Sequence, residues 1–267
     1  MATTAERIAM TAPTLNALVL AGPRSGGDPL ANAFDVPHKA VLPVAGRPMG
    51  EWVVDALRAS PAVGRVLVAA DWRSLGESVA LMTPERVVPV VAMPTIGATV
   101  EAVLDAVPPP LLITTADNPL LTPAIVGEFL AKVPPEADGA VAVARREVVR
   151  GAYPQAKRVY MRFRRARVTG CNLFLLANAR ARSAVRVWTR MDADRTDPAA
   201  MIGALGIGSR LWWSLGLLTV DGAARRLSRR VGARLAVVEM TAPEAALDVD
   251  WPEDLRLVEA ILAGRGG

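Results

Sequence analysis

The chain has 267 residues, 52% of them hydrophobic, a formal net charge of +5, one cysteine (Cys171) and one histidine (His38). That length and apolar content suffice for one large α/β domain, whereas a lone cysteine excludes an internal disulfide or a multi-cysteine zinc site, and a lone histidine excludes a histidine-based metal cluster. Any metal must be held by oxygen, which favours Mg2+ or Mn2+ and points towards phosphate chemistry.

Residues 1–14 hold one arginine and no long apolar stretch, so they do not read as a secretory signal, and a cytoplasmic location is the expectation. Strand-like runs then recur at 15–20, 65–70, 87–92, 111–115, 139–144 and 235–239, with helical patterns at 49–59, 100–106 and 123–132. This alternation predicts βαβ units and a mostly parallel sheet covered on both faces. The first strand runs into Gly22-Pro-Arg-Ser-Gly-Gly-Asp-Pro29, whose glycines would let backbone N–H groups approach a phosphate, with Arg24 adding charge. An ordinary turn is the alternative, and the absence of Gly-Lys-Ser/Thr excludes a P-loop.

Lys39 follows in Val36-Pro-His-Lys-Ala-Val-Leu-Pro-Val-Ala-Gly-Arg-Pro-Met49, as a movable point charge suited to phosphate or as a surface lysine. The apolar run Pro110-Leu-Leu-Ile-Thr-Thr-Ala-Asp-Asn-Pro-Leu120 reads as a buried strand ending in a turn. Its Asp117 sits at the carboxyl end, where open α/β sheets keep ligand crevices, and reads either as a metal ligand or as a turn cap before the helix near Thr122.

After residue 144 the rhythm breaks. Residues 145–190 carry thirteen arginines and lysines against one acid, Glu147, which leaves the rest of the chain net acidic. Such a belt suits nucleic acid, a membrane surface or phosphorylated small molecules, or it is a solvated face. Tyr160-Met-Arg-Phe-Arg164 alternates with period two, as a half-exposed strand does. The apolar stretch 201–220 is interrupted by Arg210, glycines and serines, and does not read as a membrane span. With the pairs Arg225-Arg226 and Arg229-Arg230 behind it, it is either ordinary core or a peripheral membrane contact.

Taken together, Leu20-Ala-Gly22, Lys39, Leu42-Pro-Val-Ala-Gly-Arg-Pro-Met49, Ala116-Asp-Asn-Pro-Leu120 and Asp248-Val-Asp-Trp-Pro-Glu-Asp-Leu255 resemble the nucleotidyltransferases with a molybdenum-cofactor-guanylyltransferase-like (MobA-like) domain of GT-A type. The resemblance implies one GT-A or Rossmann-like three-layer α/β domain over 1–267. Its nucleotide-binding half would be about 1–144, and an acceptor-binding subregion would fill about 145–267.

By the same resemblance, Leu20, Ala21, Gly22 and Arg24 would hold the triphosphate, Lys39 would contact phosphate, and Gly97 and Thr99 would lie beside the nucleobase and ribose. Thr99 could equally cap its helix. Asp117 and Asp248 would bind Mg2+ or Mn2+, with Asp250 at a position often filled by glycine, while Glu253 and Asp254 complement the dipole of the last helix. Gly170-Cys-Asn-Leu-Phe174 resembles the segment lining the acceptor pocket, which makes Asn172, with Lys157 and Arg158 upstream, the acceptor-binding candidates.

The family's Leu-Ala-Gly-Gly-x-Gly-x-Arg reads here Leu20-Ala-Gly-Pro-Arg-Ser-Gly-Gly27, so Pro23 removes one backbone donor and Arg24 stands in a shifted place. The implied reaction is transfer of an NMP from an NTP to a phosphorylated acceptor, such as a sugar phosphate or phospho-alcohol, with release of pyrophosphate. The alternatives are a GT-A glycosyltransferase and a catalytically silent nucleotide-binding or membrane-associated regulatory protein. No nucleic-acid partner is expected.

Overall fold

The computed structural model describes residues 14–22, 27–72, 87–191 and 213–265. Arg24 and most of the apolar stretch 201–220 lie outside the described residues. In chain order the elements are β1 Leu15–Ala21, α1 Pro29–Ala33, β2 Pro43–Val44, β3 Arg47–Pro48, α2 Met49–Arg58, β4 Val63–Ala70, β5 Val88–Val91, α3 Ile96–Ala106, β6 Leu111–Thr115 and α4 Pro123–Lys132. There follow β7 Gly139–Arg145, α5 Arg146–Ala152, β8 Met161–Phe163, β9 Ala166–Leu176, α6 Arg182–Met191, α7 Val220–Val231, β10 Leu235–Met240 and α8 Pro252–Arg265.

The main sheet has the order β10-β7-β9-β6-β1-β4-β5, with β8 attached to β9. β1 pairs in parallel with both β4 and β6, β4 with β5, and β10 with β7. The apolar runs read as parallel strands are therefore parallel strands. β9, which periodicity did not single out as a strand, is inserted antiparallel between β6 and β7 and also pairs with β8. α3 begins at Ile96, four residues before the helical pattern expected from residue 100, because Thr95 caps it by accepting from the Ala98 N–H.

Both faces are covered because the strands are apolar on both sides. Ala17 and Val19 of β1 and Leu112 of β6 pack with Val53 and Leu57 of α2, Phe129 of α4 and Val258 of α8. Leu18, Leu111 and Ile113 point the other way, into a cluster with Val100, Val103 and Leu104 of α3 and Val185 of α6. That makes a three-layer α/β domain in which β1 lies between β4 and β6, so the chain switches sides at the carboxyl ends of β1 and β6. A crevice opens at such a switch point. No described helix is long and apolar enough to cross a membrane.

Glu128 fastens α4 to the turn after β10. Its carboxylate accepts from Lys132 Nζ at 2.6 Å, from the Thr241 N–H at 2.6 Å and from the Thr241 hydroxyl at 2.7 Å. Burial opposes its ionisation, but these hydrogen bonds outweigh burial and hold the carboxyl at about 2, below its ordinary 4.5. Because the folded-state value is depressed, the stabilisation is complete above about pH 4.5 and is lost as pH falls towards 2. Thermal melts across that window should show Glu128→Gln less stable than the parent at pH 7, and the gap closing by pH 2; parallel curves would refute this role.

Candidate active site

Asp117 leaves the end of β6 and is 6% exposed. The Thr115 hydroxyl donates to its Oδ1, and its Oδ2 lies 2.7 Å from Lys39 Nζ. Its backbone carbonyl accepts the Val249 N–H at 2.8 Å, which draws the late Asp248-Val-Asp250 segment against the central strand. Asn118 reinforces this junction. Its Oδ1 accepts from the Leu120 N–H at 3.2 Å, closing the turn at Asn-Pro, while its Nδ2 donates to the Ala245 carbonyl at 3.0 Å.

Residues separated by more than 130 positions are thereby assembled: one carboxylate oxygen from each of Asp117, Asp248 and Asp250 falls within 4.8 Å of the others. Lys39, buried at 6% exposure, follows His38 at the start of a short 3-10 turn. Its ammonium bridges Asp117 and Asp250 Oδ1 at 2.7 Å each, also donates to the Val249 carbonyl, and lies 3.9 Å from Asp28 Oδ2. His38 Nδ1 accepts from the Ala40 N–H and Nε2 donates to the Gly22 carbonyl at 2.9 Å. Burial lowers its pKa, so the ring stays neutral and acts as a loop fastener.

Arg158 is the second cation. Its guanidinium donates to Asp248 Oδ1, to the Asp248 carbonyl and, at 3.0 Å, to Asp254 Oδ1. Asp254, the third residue of α8, in turn accepts from the Asp250 and Trp251 N–H groups that precede the helix, so it both fastens the start of α8 and anchors Arg158. Burial pushes the Asp248 carboxyl up to about 6; Asp117 and Asp250 push the same way, and Arg158 and Lys39 oppose them. Asn172 Nδ2 completes the ring, donating to Asp248 Oδ2 at 3.2 Å.

Asn172 occupies an irregular stretch of β9, where the register against β7 shifts between Val141 and Val143, and it has φ +50°. Asparagine tolerates that left-handed backbone better than most residues, and the bulge turns its amide towards the acids. Cys171 beside it is no nucleophile: burial, with Asp248 and Glu128 adding to it, raises the thiol well above its ordinary value.

The site therefore gathers Lys39, Asp117, Asp248, Asp250, Arg158 and Asn172. Lys157 is exposed and is not drawn in. Gly97 and Thr99 lie in the first turns of α3, where the Thr99 hydroxyl donates to the Thr95 carbonyl and accepts the Met93 N–H; the helix cap is Thr95. Leu20 and Ala21 end β1, and a Cβ on Gly22 would come within 2.8 Å of the Ala92 Cβ, so close packing alone demands glycine there. Sequence reasoning missed Asp28, Thr115 and the Arg158–Asp254 link. Asp28 carried a legible signal, an acid directly before a proline at a helix start, and it does cap α1.

The donor set fits a hard divalent cation, being three carboxylates with no softer atom among them, and the Lys39 ammonium already holds positive charge against two of them. The family described as MobA-like NTP transferase domain matches residues 17–234. The chain belongs to that family. It is accordingly a nucleotidyltransferase, and its fold agrees with solved structures of such enzymes.

A hypothetical transferase from Thermus thermophilus is similar at 32% identity and TM-score 0.76, over 91% of this chain and all of that one. A CMP:2-keto-3-deoxy-manno-octonic acid synthetase complexed with CTP shares the fold at 15% identity and TM-score 0.58, over 95% of this chain and all of that one. So does a nucleotidyl transferase from Methanothermobacter thermautotrophicus, at 17% identity and TM-score 0.53 over the same shares. No curated protein matches the sequence significantly.

The buried pairing sets a stability expectation. Lys39→Met leaves Asp117 buried without its counter-charge and should cost about 3 kcal/mol or more in urea unfolding at neutral pH. Adding Asp117→Asn to that variant should recover most of the loss, since the stranded charge is gone. Additive losses in the double variant would show that the two side chains do not act as a pair.

Proposed function

We propose that the enzyme transfers an NMP from an NTP to the phosphate of a small phosphorylated acceptor. An acceptor phosphate oxygen attacks the α-phosphorus, a new P–O bond forms, and the bond to the pyrophosphate breaks. The reading rests on the convergence of Asp117, Asp248 and Asp250 at the carboxyl end of β6, beside the end of β1. The attacking phosphate has a second pKa of about 6 and is largely dianionic at neutral pH, so no protein base is needed. That agrees with a neutral, fastened His38 and a buried, protonated Cys171.

Asp117, Asp248 and Asp250 are the residues that would hold Mg2+ or Mn2+; bound there, the ion would supply Lewis-acid neutralisation of phosphate charge. Lys39 has the reach to leave the acids and offset charge on the pyrophosphate, with Arg24 from the glycine loop as its partner. Leu20, Ala21 and Gly22 would border the triphosphate, and Gly97 and Thr99 would shape the nucleotide pocket. We assign nucleotide binding to about 1–144 and acceptor binding to about 145–267.

Of the acceptor-binding candidates, Lys157 is free to meet an acceptor phosphate. Arg158 and Asn172 are better suited to positioning Asp248, since both already donate to its carboxylate. Replacing a group that orients a metal ligand weakens metal binding by about 10–100-fold. Arg158→Lys keeps the charge but loses the forked donor set, so Mn2+ binding followed by electron paramagnetic resonance should weaken within that range. An unchanged affinity would return Arg158 to the acceptor.

The deciding experiment is pyrophosphate release with each of the four NTPs and Mg2+ against sugar 1-phosphates and phospho-alcohols. Release should require one NTP and one acceptor, and Asp117→Ala should lower it by on the order of 10²-fold or more. Mg2+-dependent NTP binding in calorimetry without release would favour a nucleotide-binding protein that has lost turnover. Absence of both would refute the proposal.

A further inference from the structure

Several arginines of this fold pair with an acid: Arg47 with Asp55, Arg145 with Glu239, Arg158 with Asp248, and Arg182 with Glu101 and Asp105. The β8–β9 hairpin concentrates four others within six residues. Arg162 and Arg167 face each other directly across the two strands, and the turn between them carries Arg164 and Arg165. All four are exposed, and none of them pairs with an acid among the described residues. Like charges directly opposite in a sheet are destabilising, so the hairpin sustains a repulsion that folding does not require.

The neighbouring surface is apolar. The Arg164 N–H donates to the Leu218 carbonyl at 2.8 Å, which lays residues 213–218 along the hairpin. Gly216, at φ +68°, turns the chain where a Cβ would sit 3.9 Å from Arg162 Nη2. Leu218 is buried by this turn, whereas Leu215 and Leu217 on either side of Gly216 remain 62% and 42% exposed. The arginine-rich hairpin thus lies against a turn whose Leu215 and Leu217 are exposed, with contact made through Arg162 and the Arg164 backbone.

We propose that this tip docks on an anionic lipid bilayer, the leucines entering the interface and Arg162, Arg164, Arg165 and Arg167 meeting lipid phosphates. A bilayer supplies both halves of that complementarity, negative charge at the surface and hydrocarbon beneath it. Nucleic acid fits less well, because among the described residues the patch's aromatic side chains, Phe163 and Trp213, are half-buried, and no fully exposed ring is offered for a base to stack on. The tip is also joined to the active site: Arg167 lies five residues from Asn172 along β9, within about 17 Å at the rise of a strand. Docking there would hold the acceptor side of the crevice near the membrane surface.

The test is flotation of the full chain with vesicles of phosphatidylcholine alone or of an equimolar mixture with phosphatidylglycerol. Binding to the mixed vesicles alone is expected, weakening as salt screens the arginines. At about fivefold for each basic residue near an anionic surface, Arg164→Ala with Arg165→Ala should weaken it roughly thirtyfold. Arg164→Lys with Arg165→Lys should restore it, which separates charge from any effect on folding. Leu215→Ser with Leu217→Ser should abolish the binding that persists at high salt. Equal binding to neutral vesicles, no binding to either kind, or displacement of the protein from vesicles by a single-stranded oligonucleotide would each overturn the proposal. These side chains lie outside the proposed catalytic set, so pyrophosphate release in free solution is an independent readout.

Discussion

The site depends on a charge imbalance that the fold creates by burying it. Asp28, Asp117 and Asp250 surround one lysine, and Asp248 and Asp254 share one arginine, so among the described residues five carboxylates face two cations. Desolvation alone would disfavour ionising so many acids, and the raised Asp248 pKa is the visible symptom. Carboxylates gathered in this way form a receptor for positive charge. Lys39 supplies one charge in the free protein, and its four-carbon stem lets that charge move without rearranging the backbone.

That imbalance is held by backbone as much as by side chains. The hydrogen bond from Val249 to the Asp117 carbonyl and the Asn118 clamp on the turn at Pro243–Ala246 bring the end of the chain to the end of β6. Arg158 arrives from a third segment and orients Asp248 through three donors, two of them to Asp248 itself. Each acid is thus positioned by contacts other than the charge it would bind. This is what preorganisation requires, because the cost of gathering the acids is met during folding and not at the moment of binding.

The parallel strands were legible because burial on both faces leaves continuous apolar runs, and Asp117 was legible because a carboxylate cannot lie within such a run. β9 was not, since arginines, Gly170 and Asn172 interrupt its pattern, and its pairing partners are β6 and β7, whose positions only the folded chain reveals. The same holds for Arg158. Its sequence neighbours suggest an exposed basic belt, and nothing local announces that its guanidinium turns inward to acids 90 and 96 positions away. Thr95 and Thr99 illustrate a smaller ambiguity: four residues apart near one helix start, either could be the cap, and only backbone geometry chooses Thr95.

The antiparallel insertion of β9 is also what makes the second half of the chain useful. A parallel strand there would present its carboxyl end at the crevice and would need a crossover to continue. Running the other way, β9 enters from the β8 hairpin, passes Asn172 to Asp248 at an irregular point in its register, and then pairs with β6 below the site. A single strand thereby links the arginine-rich tip, the acidic cluster and the hydrophobic core. Repulsion among the arginines is placed at the free end of that strand, where solvent and salt screen it, while the acids sit where burial keeps their demand for positive charge strong.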